Sequence, residues 1–325
     1  MIDLSITILS RDNTQQLSEC IASILDTAPP NLYLELIVVD KSSTQGTASI
    51  AEKFPTVRII HESAHQGYGE SQNIAAGATH GRYILQMNDD MVIHQGALAR
   101  IVRYLDENPH VGAAGCKMIN KDGSLQVSSF LTYPSVSSQL REALLLNLIL
   151  TRLPGIPAGR YTMYGRANLD DRTPRLVEHL NGAFFAVRRA VLDQVGLFDT
   201  AYYLSFEDLD WCWRIRQAGW ALAYVPDAVV LHYGTQTIGK QRDYGLPSFY
   251  AGRLRFETKR GGNRAAQTLK AVILLELAIK AAVHGTTAMI ARGISRKETH
   301  QRQQRLATAF AGALAHQVRT LRSGR

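Results

Sequence analysis

The stretch Gly81–Asp90, GRYILQMNDD, decides the fold. Tyr83–Met87 is apolar, β-favouring and long enough for one buried strand. It stops at Asn88-Asp89-Asp90, side chains that a strand interior rejects. In an open α/β sheet, ligands bind beyond the carboxyl ends of the strands. Two adjacent carboxylates at such an end can hold a hard divalent cation, with substrate phosphate oxygens completing its shell. The plain alternative is a polar turn, because Asn and Asp are common turn residues.

Upstream, the same rhythm repeats. Ile2–Ser10 alternates as a strand and breaks at Arg11-Asp12-Asn13. Thr14 reads as the N-cap of a helix to about Thr27, with Leu17, Ile21, Ile24 and Leu25 on one face. Leu34–Val39 is an unbroken apolar strand that ends at Asp40-Lys41-Ser42-Ser43. A short helix, a strand at Val57–Ile60, a glycine-containing turn at His65–Gly69 and a helix from Glu70 to Thr79 lead into the opening stretch. Wholly apolar strands alternating with helices predict an α/β protein with a mostly parallel central sheet flanked by helices. Asp40 and Asp90 then end strands on one sheet edge. Asp40 is either an acceptor for a nucleobase or ribose group at a topological switch point, or the N-cap of the next helix. Gly67-Tyr68-Gly69 is not a dinucleotide fingerprint. Gln72 stands where the third glycine belongs, and the motif follows the third strand rather than the first.

Downstream, a helix at about Gly96–Glu107 precedes a strand at Val111–Ile119, and Asp122-Gly123 turns into a strand Leu125–Phe130. Ser138–Leu150 reads as one helix with a wide apolar face, followed by a Pro/Gly/Arg-rich loop where an acceptor would enter. Glu178–Arg188 is a strand broken at Asn181-Gly182, where glycine admits either a ligand's close approach or a bulge. Tyr202–Gly219 holds a second carboxylate cluster. Glu207 and Asp208 open a helix that Gly219 closes, with Asp210–Arg214 as an i,i+4 pair. Carboxylates are favoured there by the helix dipole alone; the functional reading is a general base. Ala221–Val225 and Ala228–Leu231 read as two short strands around Pro226-Asp227, the second ending at His232, a position compatible with metal ligation.

The composition is that of an ordinary globular protein, 46% hydrophobic and 20% charged. Cys20, Cys116 and Cys212 are far apart and lack C-x-x-C spacing, which points to a reducing compartment and no zinc cluster. Met1-Ile2-Asp3-Leu4 is no signal-peptide start. Charge is uneven: Gly252–Arg325 has 15 Lys+Arg against 3 acids, a net of +12, and residues 1–251 are left at −4. Such asymmetry points to an anionic partner for the tail, a membrane surface or nucleic acid.

Six blocks in order resemble the inverting, GT-A-fold glycosyltransferases of family 2, closest to the bacterial rhamnosyltransferase-like branch. They are ILSRDN, LIVVDKSS, QGYGESQNIAAGATHGRYILQMNDD, HLNGAFFAVRRAVLDQVGLFD, SFEDLDWCWRIRQAGW and VPDAVVLHYG, spanning residues 2–235. The resemblance implies an inverting transfer from a nucleoside-diphosphate sugar, dTDP- or UDP-linked, with dTDP-rhamnose one candidate. The acceptor would be a cell-surface polysaccharide or polyprenyl-linked glycan, and the cofactor Mg2+ or Mn2+. Asp40 would contact the base, with Ser10, Arg11 and Lys41 nearby. Gly67, Asn73, Asp89, Asn181 and Gly182 would line the donor side, Asp90 and His232 would hold the metal, and Asp208 with Glu207 would supply the base. Two departures stand out: Lys41 replaces the usual Asn, and Asn-Asp-Asp replaces the commoner Asn-Pro-Asp. The expected division is a catalytic domain at 1–251, with a nucleotide-sugar half (1–120) and an acceptor half (121–251), followed by a basic helical tail at 252–325.

In that tail, Thr268–Val283 is apolar around most of its circumference, with Glu276 and Lys280 as one polar stripe, and Gln301–Arg322 is a basic amphipathic helix. Neither suits a membrane span. Interfacial contact with an anionic membrane is the expectation, which places the protein in the cytoplasm at the inner face of the membrane. The alternative is packing on the catalytic domain, or on a second copy as a homodimer. A nucleotidyltransferase would carry a glycine-rich triphosphate loop, and Ile8–Asn13 has no glycine. A nucleic-acid-binding tail needs interleaved aromatics, and the last 65 residues offer only Phe310.

Overall fold

The computed structural model describes residues 2–41, 47–62, 66–150, 152–157, 159–234, 242–293 and 297–322. Ser42, Ser43 and His65 lie outside them. Two compact units form, Met1–Thr132 with Ala167–Thr235 and Tyr133–Arg166 with Gln236–Arg325.

The first unit is built on a ten-stranded sheet. Its first four strands are β1 (Leu4–Ser10), β2 (Leu34–Asp40), β3 (Arg58–His61) and β4 (Tyr83–Asn88). Next come β5 (Met91–Ile93), β6 (Val111–Ile119) and β7 (Leu125–Gln126). β8 (Ser129–Phe130) leaves the sheet, and β9 (Tyr161–Thr162) pairs with β10 (Gly165–Arg166) in the second unit. β11 (Arg175–Val177), β13 (Phe184–Arg188) and β14 (Ala221–His232) complete the sheet, while β12 (His179–Leu180) pairs antiparallel with β8.

The order is β11-β14-β6-β13-β4-β1-β2-β3. It is parallel through β4-β1-β2-β3, as predicted, and β13 runs antiparallel between β4 and β6. Both faces of β4 are covered. Tyr83, Leu85 and Met87 join one core with Leu4, Ile6 and Ile8 of β1, and Ile84 joins the other with Phe185 and Trp211. The flanking helices follow from their periodicity. Leu17, Cys20, Ile21 and Ile24 bury one face of Thr14–Thr27, as Leu98, Ile101, Val102 and Leu105 do for Ala97–Glu107. The three cysteines are free and buried.

Three sequence expectations are corrected. Ala221–His232 is one strand; Pro226, which cannot donate to a ladder, is absorbed by a bulge between Val225 and Val229 against β6. Leu125–Phe130 is two short strands with different partners, β7 on β6 and β8 on β12. Ser138–Leu150 is two helices, Val136–Ala143 and Leu146–Leu150, parted where Leu145 turns left-handed at φ 56°.

The second unit is helical. Its long helix Arg242–Gly293 kinks at Gly262 and pairs with Lys297–Arg322 around Tyr250, Leu269, Ile273, Leu277 and Ala313. The predicted polar stripe points inward. Glu276 is fully buried and accepts hydrogen bonds from Gln139, from Tyr250 at 3.2 Å and from Lys280 at 2.7 Å. That leaves apolar Leu275 and Val283 exposed. Among the described residues, no helix is long and apolar enough to cross a membrane.

Candidate active site

The carboxyl ends of β4, β1 and β2 lie side by side, so Asn88, Ser10 and Asp40 share one edge. Ser10 pairs with Asp40 in register, and its hydroxyl donates to Asp89 Oδ2 at 2.6 Å. Asp40 is buried and does not cap the next helix, whose N-cap is Thr47; it accepts the Thr47 hydroxyl at 2.5 Å and lies 3.3 Å from His61 Nδ1. Lys41 is buried with its ammonium on the Gln66 carbonyl, and burial lowers its pKa. Arg11 is exposed.

Beyond Asn88 the chain turns into β5, whose Met91 pairs with His232 at the end of β14. This pairing sets His232 beside Asp90, and the Tyr233 N–H donates to the Asp90 carbonyl at 2.9 Å. Asp90 Oδ1 is buried, makes no hydrogen bond, and lies 3.3 Å from His232 Nε2. The orientation of that ring follows from Gln126. Its amide nitrogen donates to Asn120 Oδ1 at 3.2 Å, which leaves Oε1 to accept from His232 Nδ1. His232 Nε2 then turns its lone pair towards a carboxylate oxygen. Two acceptors face to face require a proton or a cation between them. An imidazole and a carboxylate so placed fit a divalent ion that takes its other ligands from phosphate and water. Among the described residues, no group of three or more His, Cys, Asp and Glu could hold a metal by itself. Burial chiefly, opposed by the Ser10 hydrogen bond and aided by the charge of Asp90, pushes the Asp89 carboxyl up to about 6.

The second carboxylate pair opens the helix Glu207–Gln217. Ser205 and Phe206 just before it both adopt left-handed φ, 70° and 74°, strain of about 1–3 kcal/mol each of the kind kept at functional sites. Asp208 Oδ2 accepts the Gly182 N–H at 2.9 Å, and Oδ1 accepts the Leu209 N–H at 2.8 Å. Gly182 packs closely on Asp208: a Cβ there would lie 3.0 Å from Asp208 Cβ and would press on it. Burial raises the Asp208 pKa, but His179 and these two N–H groups outweigh it and leave it lowered. Glu207 is pushed the other way, up to about 8, by burial and then by the charge of Asp208. At neutral pH the pair therefore carries its charge on Asp208. Asp210 is fully buried and taken up by Arg214 at 2.9 Å and Tyr202 at 3.2 Å.

Tyr68 joins the two clusters. Its hydroxyl donates to the Gly182 carbonyl at 3.0 Å and lies 3.4 Å from Asn88 Oδ1, and it feels the charges of Glu207, Asp208 and Asp90. The sequence reading passed over Tyr68, Gln126 and His179. Tyr68 lies between two glycines and carries no charge that marks it, and Gln126 and His179 join the site only through strand pairing. Other candidate residues have packing partners. Asn73 spends both ends of its amide on the Phe198 backbone, at 2.9 and 3.0 Å. Gly67 lies against the Tyr203 backbone, where a Cβ would meet the carbonyl oxygen at 2.9 Å. Asn181 accepts the Ala183 N–H at 2.9 Å, shaping the turn that presents Gly182.

Known proteins are similar to this chain. The N-acetylglucosaminyl-diphospho-decaprenol L-rhamnosyltransferase of Mycobacterium tuberculosis is 28% identical over 64% of this chain and 69% of its own. Rhamnosyltransferase WbbL of Escherichia coli is 24% identical over 62% of this chain and 73% of its own. Among solved structures, the mannosyltransferase PcManGT of Pyrobaculum calidifontis, in complex with GDP-Man and Mn2+, is similar in fold. It has a TM-score of 0.56 and 15% identity, over 97% of this chain and 86% of its own. The family model described as "Glycosyltransferase like family 2" matches residues 3–243, the whole sheet and both carboxylate clusters; the chain belongs to that family and has its GT-A fold.

Proposed function

We propose that the protein transfers a deoxyhexose, rhamnose from dTDP-rhamnose, to a polyprenyl-diphosphate-linked glycan with inversion at the anomeric carbon. The observation that supports it most is Tyr68, whose hydroxyl donates to the carbonyl of Gly182, the residue whose N–H holds Asp208, and lies 3.4 Å from Asn88 Oδ1 at the end of β4. The rim of the sheet and the candidate base thus belong to one site. The names of the two relatives supply the sugar, and that of the mycobacterial relative supplies the acceptor class.

Asp208 is the base. It is ionised at neutral pH, fixed by two backbone N–H groups, and about one-fifth exposed, so an acceptor hydroxyl can reach it and lose its proton as it attacks. Glu207, protonated at neutral pH, does not compete for that proton. A single displacement inverts the sugar, unlike the two-carboxylate arrangement of retaining glycosidases. Asp90 and His232 would hold Mg2+ or Mn2+, which when bound neutralises charge on the departing diphosphate. Asp40, Ser10 and Lys41 form the nucleoside end. In a thermal-shift panel of dTDP-, UDP- and GDP-sugars with Mn2+, dTDP-rhamnose is expected to raise Tm most. A larger shift with a GDP- or UDP-sugar would refute this donor.

The acceptor class brings the protein to a membrane, and the second unit suits one. It holds 21 Lys+Arg against 5 Asp+Glu, a net of +16, while the first unit is at −8. It also exposes Leu140, Leu144, Leu146, Ile149 and Leu153 within one short stretch. Each base near an anionic leaflet adds about 1 kcal/mol, and a two-fold contact through this unit would set like charges against each other. Co-sedimentation is expected with phosphatidylglycerol vesicles but not phosphatidylcholine ones, weakened by salt and by Leu144→Ser with Ile149→Ser. Equal binding to both vesicle types would contradict this.

A further inference from the structure

Behind the candidate base stands a histidine to which no role has been given. His179 lies on β12, and its ring is almost fully buried, stacked on Phe130 of β8 with centroids 5.2 Å apart and planes 13° from parallel. The two residues are cross-strand partners, so backbone pairing fixes the stack. The ribbon is anchored in turn by Asn168, which bonds the Ser129 carbonyl and hydroxyl at 3.0 and 3.1 Å. His179 Nε2 lies 3.5 Å from Asp208 Oδ2, the oxygen that also accepts the Gly182 N–H. Other titratable groups around the pair are Glu207 and Cys212 on the same helix, and Tyr68 across Gly182.

We infer that His179 is a positioning residue for the transfer: it holds the negative charge of the Glu207–Asp208 pair on Asp208 and fixes the carboxylate for the acceptor. The inference rests on the reading of Asp208 as the base. Two neighbouring buried carboxylates compete for one proton, and their environments differ on one side only. Asp208 accepts two N–H groups and has an imidazole nitrogen at 3.5 Å, an ion-pair distance; Glu207 Oε2 is buried with no hydrogen-bond partner. Without the imidazole, the two N–H groups alone would oppose burial at Asp208, and its hold on the negative charge would weaken. The base would then be blocked at a higher pH than in the wild type. His179 acts only through Asp208.

The sign of the effect follows. In the wild type, Asp208 stays ionised well below neutrality, so the acid limb of kcat/KM lies at low pH. His179→Phe keeps the ring on Phe130 but removes the polar edge. Its limb should move up by about one pH unit or more, an approximately tenfold loss of rate at the acid end, and converge on wild type towards alkaline pH. Donor KM should hardly change. His179→Gln keeps a polar group beside Asp208 without the imidazole and should lie between the two. A histidine that merely supported the fold would lower the rate equally at every pH, so an unmoved limb in His179→Phe overturns the inference. The carbon-13 carboxyl shift of Asp208, followed with pH in the full-length protein without substrate, separates this result from the function. If that titration moves in His179→Phe while no sugar nucleotide is turned over, the charge assignment stands and the transferase reading of the site fails. If it does not move, the role of His179 is wrong whatever the activity.

Discussion

Asp208→Asn is expected to lower kcat about 10³-fold, within the range for loss of a general base, while donor KM stays within about twofold. The loss corresponds to roughly 4 kcal/mol of transition-state stabilisation. Asparagine is close in shape and can still place an oxygen on the Gly182 N–H, so the helix start should keep its geometry. It cannot accept a proton. The neighbours do not rescue it: burial, the main cause of the raised Glu207 pKa, persists once the Asp208 charge is removed, and Asp210 is committed to Arg214 and Tyr202. Steady-state kinetics with the donor held saturating check this. Retained turnover would move the base to Glu207, and a pH optimum displaced to alkaline values would then be its signature.

Asp90→Ala is expected to abolish metal-dependent transfer and the rise in Tm that Mn2+ produces with a nucleoside diphosphate. Without metal, however, the variant should lie close to wild type in stability, because relief of the buried carboxylate offsets loss of the proton it shares with His232. Asp90 Oδ1 is buried with no hydrogen bond, and the charge of Asp90 helps to raise the Asp89 carboxyl. Removing it relieves a desolvated carboxylate and a like-charge repulsion. Thermal unfolding with and without Mn2+ separates the two effects. A simple structural acid would show the reverse, a lower metal-free Tm with the metal response intact. Gln126→Ala belongs to the same test. It releases the His232 ring and should weaken the metal response roughly 10–100-fold, as loss of an outer partner of a ligand does.

Much of this site can be read from local sequence, because its acids sit where elements end. The run Tyr83–Met87 followed by Asn88-Asp89-Asp90 identifies a buried strand and its carboxyl edge, and Glu207-Asp208 before a helical period identifies a helix start. What escapes is whatever depends on pairing between distant segments. Gln126 meets His232 only because β7 and β14 both pair with β6, and His179 meets Phe130 only because β12 pairs with β8. Neither partnership leaves a periodicity. Pro226 suggested two strands because a proline cannot donate to a ladder, yet a bulge accommodates it within one. The polar stripe of Thr268–Val283 shows the same dependence on distant partners. Glu276 and Lys280 look like a solvated stripe until Gln139 and Tyr250 arrive from other helices to satisfy the buried carboxylate.

The central claim is that Asp90 with His232 and Asp208 serve one reaction from two sides of a cleft. Anomalous diffraction from a crystal soaked with Mn2+ and dTDP tests it most directly. The account predicts a manganese peak bonded to Asp90 and His232, with the diphosphate completing its shell and the Asp208 carboxylate open to the same cavity. A peak elsewhere, or a nucleotide walled off from Asp208, would contradict it.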